Sequence, residues 1–276
     1  MLTVGLALAS TTELERARKL FAHAQYREVI TALASESKTD QAPVLELIGK
    51  SHFMMGDFKK SAEFFERAVA AGPDSSRLHH WLGKAYGRRA ETSNPLFAPG
   101  LASKARQSFE KAVSLDGKNI EAINDLFSYY IEAPGFLGGG LDKAAGLTKR
   151  IEAIDPVEYH YALAQLAEKR KEFNQAEMHL RRAVDLAPRQ AGRIIDLARF
   201  LSQHGKHQES EKVFEQAEKV APKAPRLLFE RASNYIRAKK NLEEAKALLE
   251  QYLRSPLSPD DPPRAEAEKL LKQAGS

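Results

Sequence analysis

The sequence predicts an all-α fold, a solenoid of helix-turn-helix repeats, and three observations predict it. The first is a small residue that returns along the chain as Ala17, Gly49, Gly83, Ala164, Ala198 and Ala232, the last three spaced by 34 residues. The second is two further small-residue series that follow in step: Ser61, Ala105, Ala144, Ala176, Ser210 and Ala245, then Ala68, Ala112, Ala183 and Ala217. The third is a closing helix breaker, Pro73, Pro156, Pro188 or Pro222, with Gly117 standing in once. Self-similarity at this period marks an array of supersecondary units rather than one globular core. Composition agrees, since 43% hydrophobic and 29% charged residues in 276 suit a folded chain and not a disordered one.

The repeat running from Ala42 to Ser75 shows why these residue types recur. Leu45, Ile48, Gly49 and His52 share one face of a first helix, Gly56-Asp57-Phe58 makes the turn, and Ser61, Phe65, Ala68 and Val69 face inward from a second helix. Small residues at the eighth and twentieth positions let two helices approach closely, and an aromatic near the twenty-fourth fills the space between them. Proline then stops the second helix. The later segment Trp81-Leu82-Gly83-Lys84-Ala85-Tyr86 resembles the W-x-x-L-G-x-x-Y pattern of the tetratricopeptide repeat family, with tryptophan displaced by two positions. The resemblance implies about seven repeats over residues 12–257, stacked into a right-handed superhelix.

Both edges of the array depart from the pattern. The first unit carries Val29 where a small residue belongs and lacks the closing proline, as expected of a capping copy. The last has an extra residue around Lys239-Lys240-Asn241 and runs into a proline-rich stretch, after which residues 258–276 should form a capping helix from about Arg264 to Gln273. Two internal units are too long. Ten extra residues fall in an extended turn at 88–104 and five in a second at 132–143. Turns of successive repeats line up along one edge, so the inserts should form one lobe containing Leu96, Phe97, Phe136 and Leu137. Those residues either pack on one another and the flanking helices or make a partner-contact surface.

Several function classes have no residues to carry them. The chain has no cysteine, which excludes disulfides, thiol catalysis and cysteine-ligated metals. Its eight histidines form no H-E-x-x-H or comparable set, and scattered surface positions account for them, so no metal site is expected. No G-x-S-x-G elbow occurs, and the glycines Gly135 and Gly138 to Gly140 lead into Leu141-Asp142-Lys143 instead of the Gly-Lys-Ser/Thr of a phosphate loop. The expectation is a protein that is not an enzyme and takes no cofactor. Net charge is +5 with both signs interspersed, which describes a solvated surface better than a nucleic-acid footprint. Arg88-Arg89, Arg181-Arg182 and Lys239-Lys240 would carry the nucleic-acid alternative. No segment reaches the length of a membrane span. Residues 1–11, MLTVGLALAST, contain an Ala7-Leu8-Ala9 cleavage-like pattern without a basic start, and are read as the remnant of a bacterial signal that sends the chain to the periplasm or exterior. The alternative is a short first helix in a cytoplasmic protein.

The family resemblance implies where a partner would sit. Its members line a concave groove with the second, fifth, ninth, twelfth and thirteenth residues of each first helix. Transferred onto this sequence, the groove presents Arg77, His80, Lys84 and Arg88, then Asn124 and Ser128, then Tyr161, Gln165 and Lys169, and farther on Ile195, Arg199, Gln203, Phe229, Ser233 and Arg237. Cations, amides and aromatics suit an extended protein or peptide segment. The lysine and asparagine clamp that cochaperone members use for a carboxylate is absent, because Glu46, Trp81 and Asp125 occupy its positions. The expected function is therefore an interaction scaffold or adaptor holding a protein segment in the groove. The alternative is a periplasmic subunit that binds a small ligand for solute uptake.

Overall fold

In the computed structural model the described residues are 13–38, 40–258, 261, 262 and 264–275, so the 1–11 segment lies outside them. They contain fifteen α-helices and no strand. The chain divides into two compact units, residues 1–150 and 151–276.

The first unit holds α1 (13–22), α2 (Tyr26–Ala32), α3 (Ala42–Met54), α4 (Phe58–Ala71), α5 (Ser76–Thr92), α6 (Ala98–Leu115), α7 (Ile120–Glu132) and most of α8 (Leu141–Ile154). Helices pack on their sequence neighbours, α3 on α4, α4 on α5, α5 on α6 and α6 on α7, and first helices also meet one another, α3 with α5 and α5 with α7. Side-chain caps set the helix starts: Asp57 accepts from the Lys60 N–H, Ser75 from Leu78 and Asn119 from Ala122. The small eighth residue does what the pattern requires. A Cβ added to Gly49 would lie 3.0 Å from the Phe65 ring, and one added to Gly83 only 2.5 Å from Phe109. Ala17, Val29, Leu33, Val44 and Ile48 close the first end in one fully or almost fully buried cluster.

The inserts take a different form from two loose turns. Most of the ten residues in the first go into helix, lengthening α5 to 17 and α6 to 18 residues against 13 or 14 elsewhere in α3 to α14. Only residues 93–97 interrupt them, so the expected extended turn at 88–104 is corrected to this short link. The helix continues because Arg88, Arg89, Ala90 and Glu91 are good helix formers, and Pro95 allows no further turn. The second insert is a loop with a single 3-10 turn, Gly135–Leu137, that packs against α6. Its glycines are sterically required: Gly138 has φ +89°, and a Cβ on Gly139 would collide with the Ala133 carbonyl. The N–H groups of Gly138, Gly139 and Gly140 donate to Gly135, Pro134 and Tyr130, so the loop's own carbonyls occupy the donors an anion would need.

The second unit contains α9 (Pro156–Lys169), α10 (Phe173–Leu186), α11 (Ala191–Gln203), α12 (His207–Val220), α13 (Pro225–Ala238), α14 (Leu242–Arg254) and α15 (Arg264–Ala274). Ala164, Ala176, Ala198, Phe200 and Phe214 belong to a core shared by α9 to α12. The α15 helix packs on α13 and α14, burying Ala267 beside Leu249, Tyr252 and Phe229. The Tyr252 hydroxyl donates to the Pro262 carbonyl, tying the proline-rich link to the last repeat. Turns inside the pairs use one left-handed residue each, Gly205 (φ +78°), Lys171 (φ +63°) and Lys239 (φ +51°). The extra residue near Lys239 adds a second left-handed position, Asn241.

Candidate functional site

Each unit presents a face made by its first helices, and in both a buried carboxylate is bracketed by cations from successive repeats. In the first unit Glu46 of α3, 6% exposed, pairs with Lys50 at 2.6 Å and with Arg77 of α5 at 2.8 Å. Lys50 and Lys84 each lie 4.9 Å from the Trp81 ring. These residues form a half-exposed aromatic flanked by two ammonium groups. Arg88 sits over Phe58 at 5.3 Å and pairs with Glu91 at 2.6 Å. Asn124 is half-buried and Ser128 exposed on α7. His80, expected in the open groove, is instead buried and donates from Nε2 to Asp125 at 2.7 Å, because its α5 position turns inward against α7 and Phe109.

The second unit carries the denser array. Asp196 of α11, 1% exposed, accepts from Arg193 at 2.6 Å and from Arg226 of α13 at 2.5 Å. Arg193 also pairs with Glu158 of α9 at 2.8 Å, and its guanidinium stacks 3.7 Å from the centre of the Tyr161 ring. Arg199 approaches Asp196 only to 3.9 Å, and its Nε is buried with no hydrogen-bond partner. Arg237 donates to the Ser202 hydroxyl at 3.1 Å. Buried Glu230 faces Arg199, Arg226 and Arg237, and burial raises its pKa despite their opposing pull. Four guanidiniums thus surround three carboxylates, one of them biased toward its neutral form. Gln165 is half-buried and Lys169 exposed on the same first helix.

Phe229, expected on this face, is 5% exposed and packs on Tyr252 at 5.3 Å. Ile195 and Ser233 are likewise buried. Position counting failed here because fifth and ninth residues of a first helix turn toward the neighbouring repeat wherever that helix is tightly covered. Counting also passed over Arg226, although it is the second residue of α13, and over Arg193 and Asp196. Their signal was available as Arg193 and Asp196 interleaved with the apolar residues of α11, and as Arg226 at the second position of α13.

Of the insert residues, Leu96 is 84% exposed, Phe97 69% and Phe136 83%, while Leu137 is half-buried. Of the two readings given for these residues, burial against one another does not occur: Leu96, Phe97 and Phe136 are held outward. The histidines differ from expectation too. His52 is buried and stacks on Phe64, His204 lies 4.5 Å from Phe173 and 4.1 Å from Phe200, and His160 and His179 face each other with Nδ1 atoms 3.1 Å apart. No group of three or more His, Cys, Asp or Glu that could hold a metal occurs among the described residues. A hollow of about 530 Å³ beside α10 is lined by Glu177, Arg181 and Lys206, which pair with one another. No helix among the described residues is long and apolar enough to cross a membrane.

Comparison with known proteins places this architecture. Two tetratricopeptide repeat family models match, one over residues 157–190 and one over 195–262. No curated protein matches the chain. Among solved structures, a tetratricopeptide repeat protein from Parabacteroides merdae superposes with a TM-score of 0.71 at 13% identity, covering 96% of this chain and 98% of its own. A thermophilic protein with the same repeats from Thermus thermophilus gives 0.55 at 19% identity, over 69% and 98%. A chain in the structure of the Cut9–Hcn1 hetero-tetramer of the APC/C gives 0.55 at 15% identity, over 98% of this chain and 48% of that one. Sequential helix pairs, the close approaches at Gly49 and Gly83, and the two family matches together show tetratricopeptide repeats over residues 157–262, in a chain whose fold is that of tetratricopeptide repeat proteins.

Proposed function

We propose that this protein is an interaction scaffold that holds an extended protein segment against its first-helix faces, chiefly the arginine-rich face of α9, α11 and α13. Repeats of this family typically act as non-catalytic protein-binding scaffolds, and the fold supports that general role. The observation that carries the finer reading is Arg199: a partly exposed guanidinium near Tyr161 of the neighbouring first helix, whose ion pair among the described residues is a loose 3.9 Å approach to Asp196. The exposed terminal nitrogens of that guanidinium, held inside the chain only by the long approach to Asp196, would donate to a carbonyl or carboxylate of an incoming chain. The Cut9–Hcn1 assembly is an example of a similar fold in a protein complex.

Peptides selected from a random library against the full chain provide the test. Their affinity should fall about tenfold with Arg199→Ala, the loss expected for one charge-assisted contact. It should be unchanged with Lys219→Ala on α12. Equal binding by the Arg199→Ala protein would overturn this reading.

A further inference from the structure

The mouth of the long α5–α6 pair forms a second surface, on different elements from the arginine-rich face. Asn94 builds it. Its side chain accepts from the Leu96 N–H at 3.0 Å, and its carbonyl accepts from Phe97 at 2.9 Å and Ala98 at 3.2 Å. Ser93 adds a bond from its hydroxyl to the Arg89 carbonyl at 2.6 Å. The link is therefore fixed by its own hydrogen bonds while it projects two of the chain's most exposed large apolar side chains, Leu96 and Phe97. Beside them lies a hollow of about 330 Å³ lined by Phe97, Gly100, Leu101, Ser93, Asn94, Arg89 and Lys104. The glycine leaves that wall open, since a Cβ at Gly100 would meet nothing within 4 Å.

Charge decides what fits. Arg89 and Lys104 form no ion pair among the described residues, whereas Arg88 beside them is held by Glu91 and Arg106 by Glu110. Lys104 lies over the Tyr86 ring at 5.2 Å, and the nearby Glu66 accepts the Tyr86 hydroxyl at 2.5 Å. No carboxylate lines the hollow. We propose that this hollow docks a protein segment in which a large apolar side chain is flanked by carboxylates, the apolar group entering between Phe97 and Leu101 and the acids meeting Arg89 and Lys104. Rigid, pre-exposed aromatic anchors suit such a contact because little ordering entropy is lost on binding. A flat lipid surface matches less well, since the two cations line a concavity that a bilayer cannot enter.

Four probes test this on the full chain: the hexapeptide Glu-Glu-Leu-Phe-Glu-Glu, its counterparts with Gln or Lys for Glu, and phosphatidylglycerol vesicles. Binding is read at millimolar peptide by chemical-shift changes of Gly100 and Leu101, and with vesicles by co-sedimentation. The acidic peptide should bind at least about tenfold more tightly than the Gln peptide at low salt, the lysine peptide not at all, and the preference should fade as salt rises. Phe97→Ser and Lys104→Glu should each weaken the acidic peptide by about tenfold or more. Both side chains project from the surface or line the open hollow, and a circular-dichroism melt verifies that the variants fold. Arg199→Ala should have no effect, which separates this surface from the first-helix face. Equal binding of acidic and neutral peptides, binding indifferent to Phe97→Ser, absence of shifts at Gly100 and Leu101, or vesicle binding without peptide binding would each overturn the proposal. So would concentration-dependent dimerisation abolished by Phe97→Ser, which would assign the surface to a second copy of this chain.

Discussion

Lys171 occupies the turn between α9 and α10 with φ +63°, where its β-carbon meets the following carbonyl, while the equivalent turn between α11 and α12 places Gly205 at φ +78°. Replacing Lys171 with glycine removes that strain at the cost of a more flexible unfolded chain. The net expectation is a gain of about 0.5–1 kcal/mol, read as a higher urea midpoint at unchanged slope. His160 and His179 support a pH prediction. Burial lowers both pKa values from 6.5; Arg182 lowers His160 further against the opposing Glu152, and His160 itself lowers His179. Because the unfolded chain takes up protons first, the stability held by the neutral pair is complete above pH 6.5. It is lost as pH falls through the depressed folded-state values. His179→Gln removes one titrating group, so its melting temperature should fall less between about pH 7.5 and 5.5 than that of the parent. An equal fall would show that the pair does not contribute to acid sensitivity.

At the scale of the helix pair, two glycines one turn apart in α5 have opposite meanings. A methyl group on Gly83 would lie 2.5 Å from Phe109, so Gly83→Ala must displace a ring in the α5–α6 contact and should cost about 1–3 kcal/mol. Gly87 meets nothing within 4 Å, and Gly87→Ala should stabilise by about 0.5–1 kcal/mol through helix propensity alone. Thermal melts of the two variants distinguish packing from propensity, since propensity alone predicts that both stabilise. Gly83 was legible from sequence because a small residue returns at its position in most pairs, as Gly49 against Phe65 illustrates. The insert was not legible in the same way. Periodicity locates ten surplus residues but does not say whether they extend helices or form a loop, and here the helix-favouring Arg88-Arg89-Ala90-Glu91 run decided it. On the first-helix faces, the register left Arg199, Gln165 and Lys169 at least partly exposed, as an open face requires, yet placed His80 and Phe229 there although both are buried. A one-dimensional register gives direction around a helix, not how deeply the neighbouring repeat covers it.

Over the whole molecule, stability in a repeat array is the sum of units and their nearest-neighbour interfaces, so a terminal unit depends on whatever covers its outer side. The last pair, α13–α14, has fully buried Leu249 and Tyr252 and nearly buried Phe229, and α15 supplies the cover through Ala267 with Leu270 and Leu271 packed against the same cluster. The proline-rich link holds that helix in register through the Tyr252 hydroxyl and the Pro262 carbonyl, and Arg264 donates to the Leu253 carbonyl at the end of α14. Deleting residues 258–276 would expose this apolar face, a loss of about 3 kcal/mol for two half-buried leucines and the surface they cover. That corresponds to a melting temperature lower by roughly 6–12 °C. The effect should be local. Hydrogen exchange should accelerate in α13 and α14 and leave α3 to α6 unchanged, because coupling between distant units runs only through successive interfaces. Ala267→Glu, which places a charge at a fully buried contact without shortening the chain, should give the same exchange pattern. Uniform acceleration along the chain in either variant would instead mean that the array unfolds as a single cooperative body, with α15 contributing to all of it.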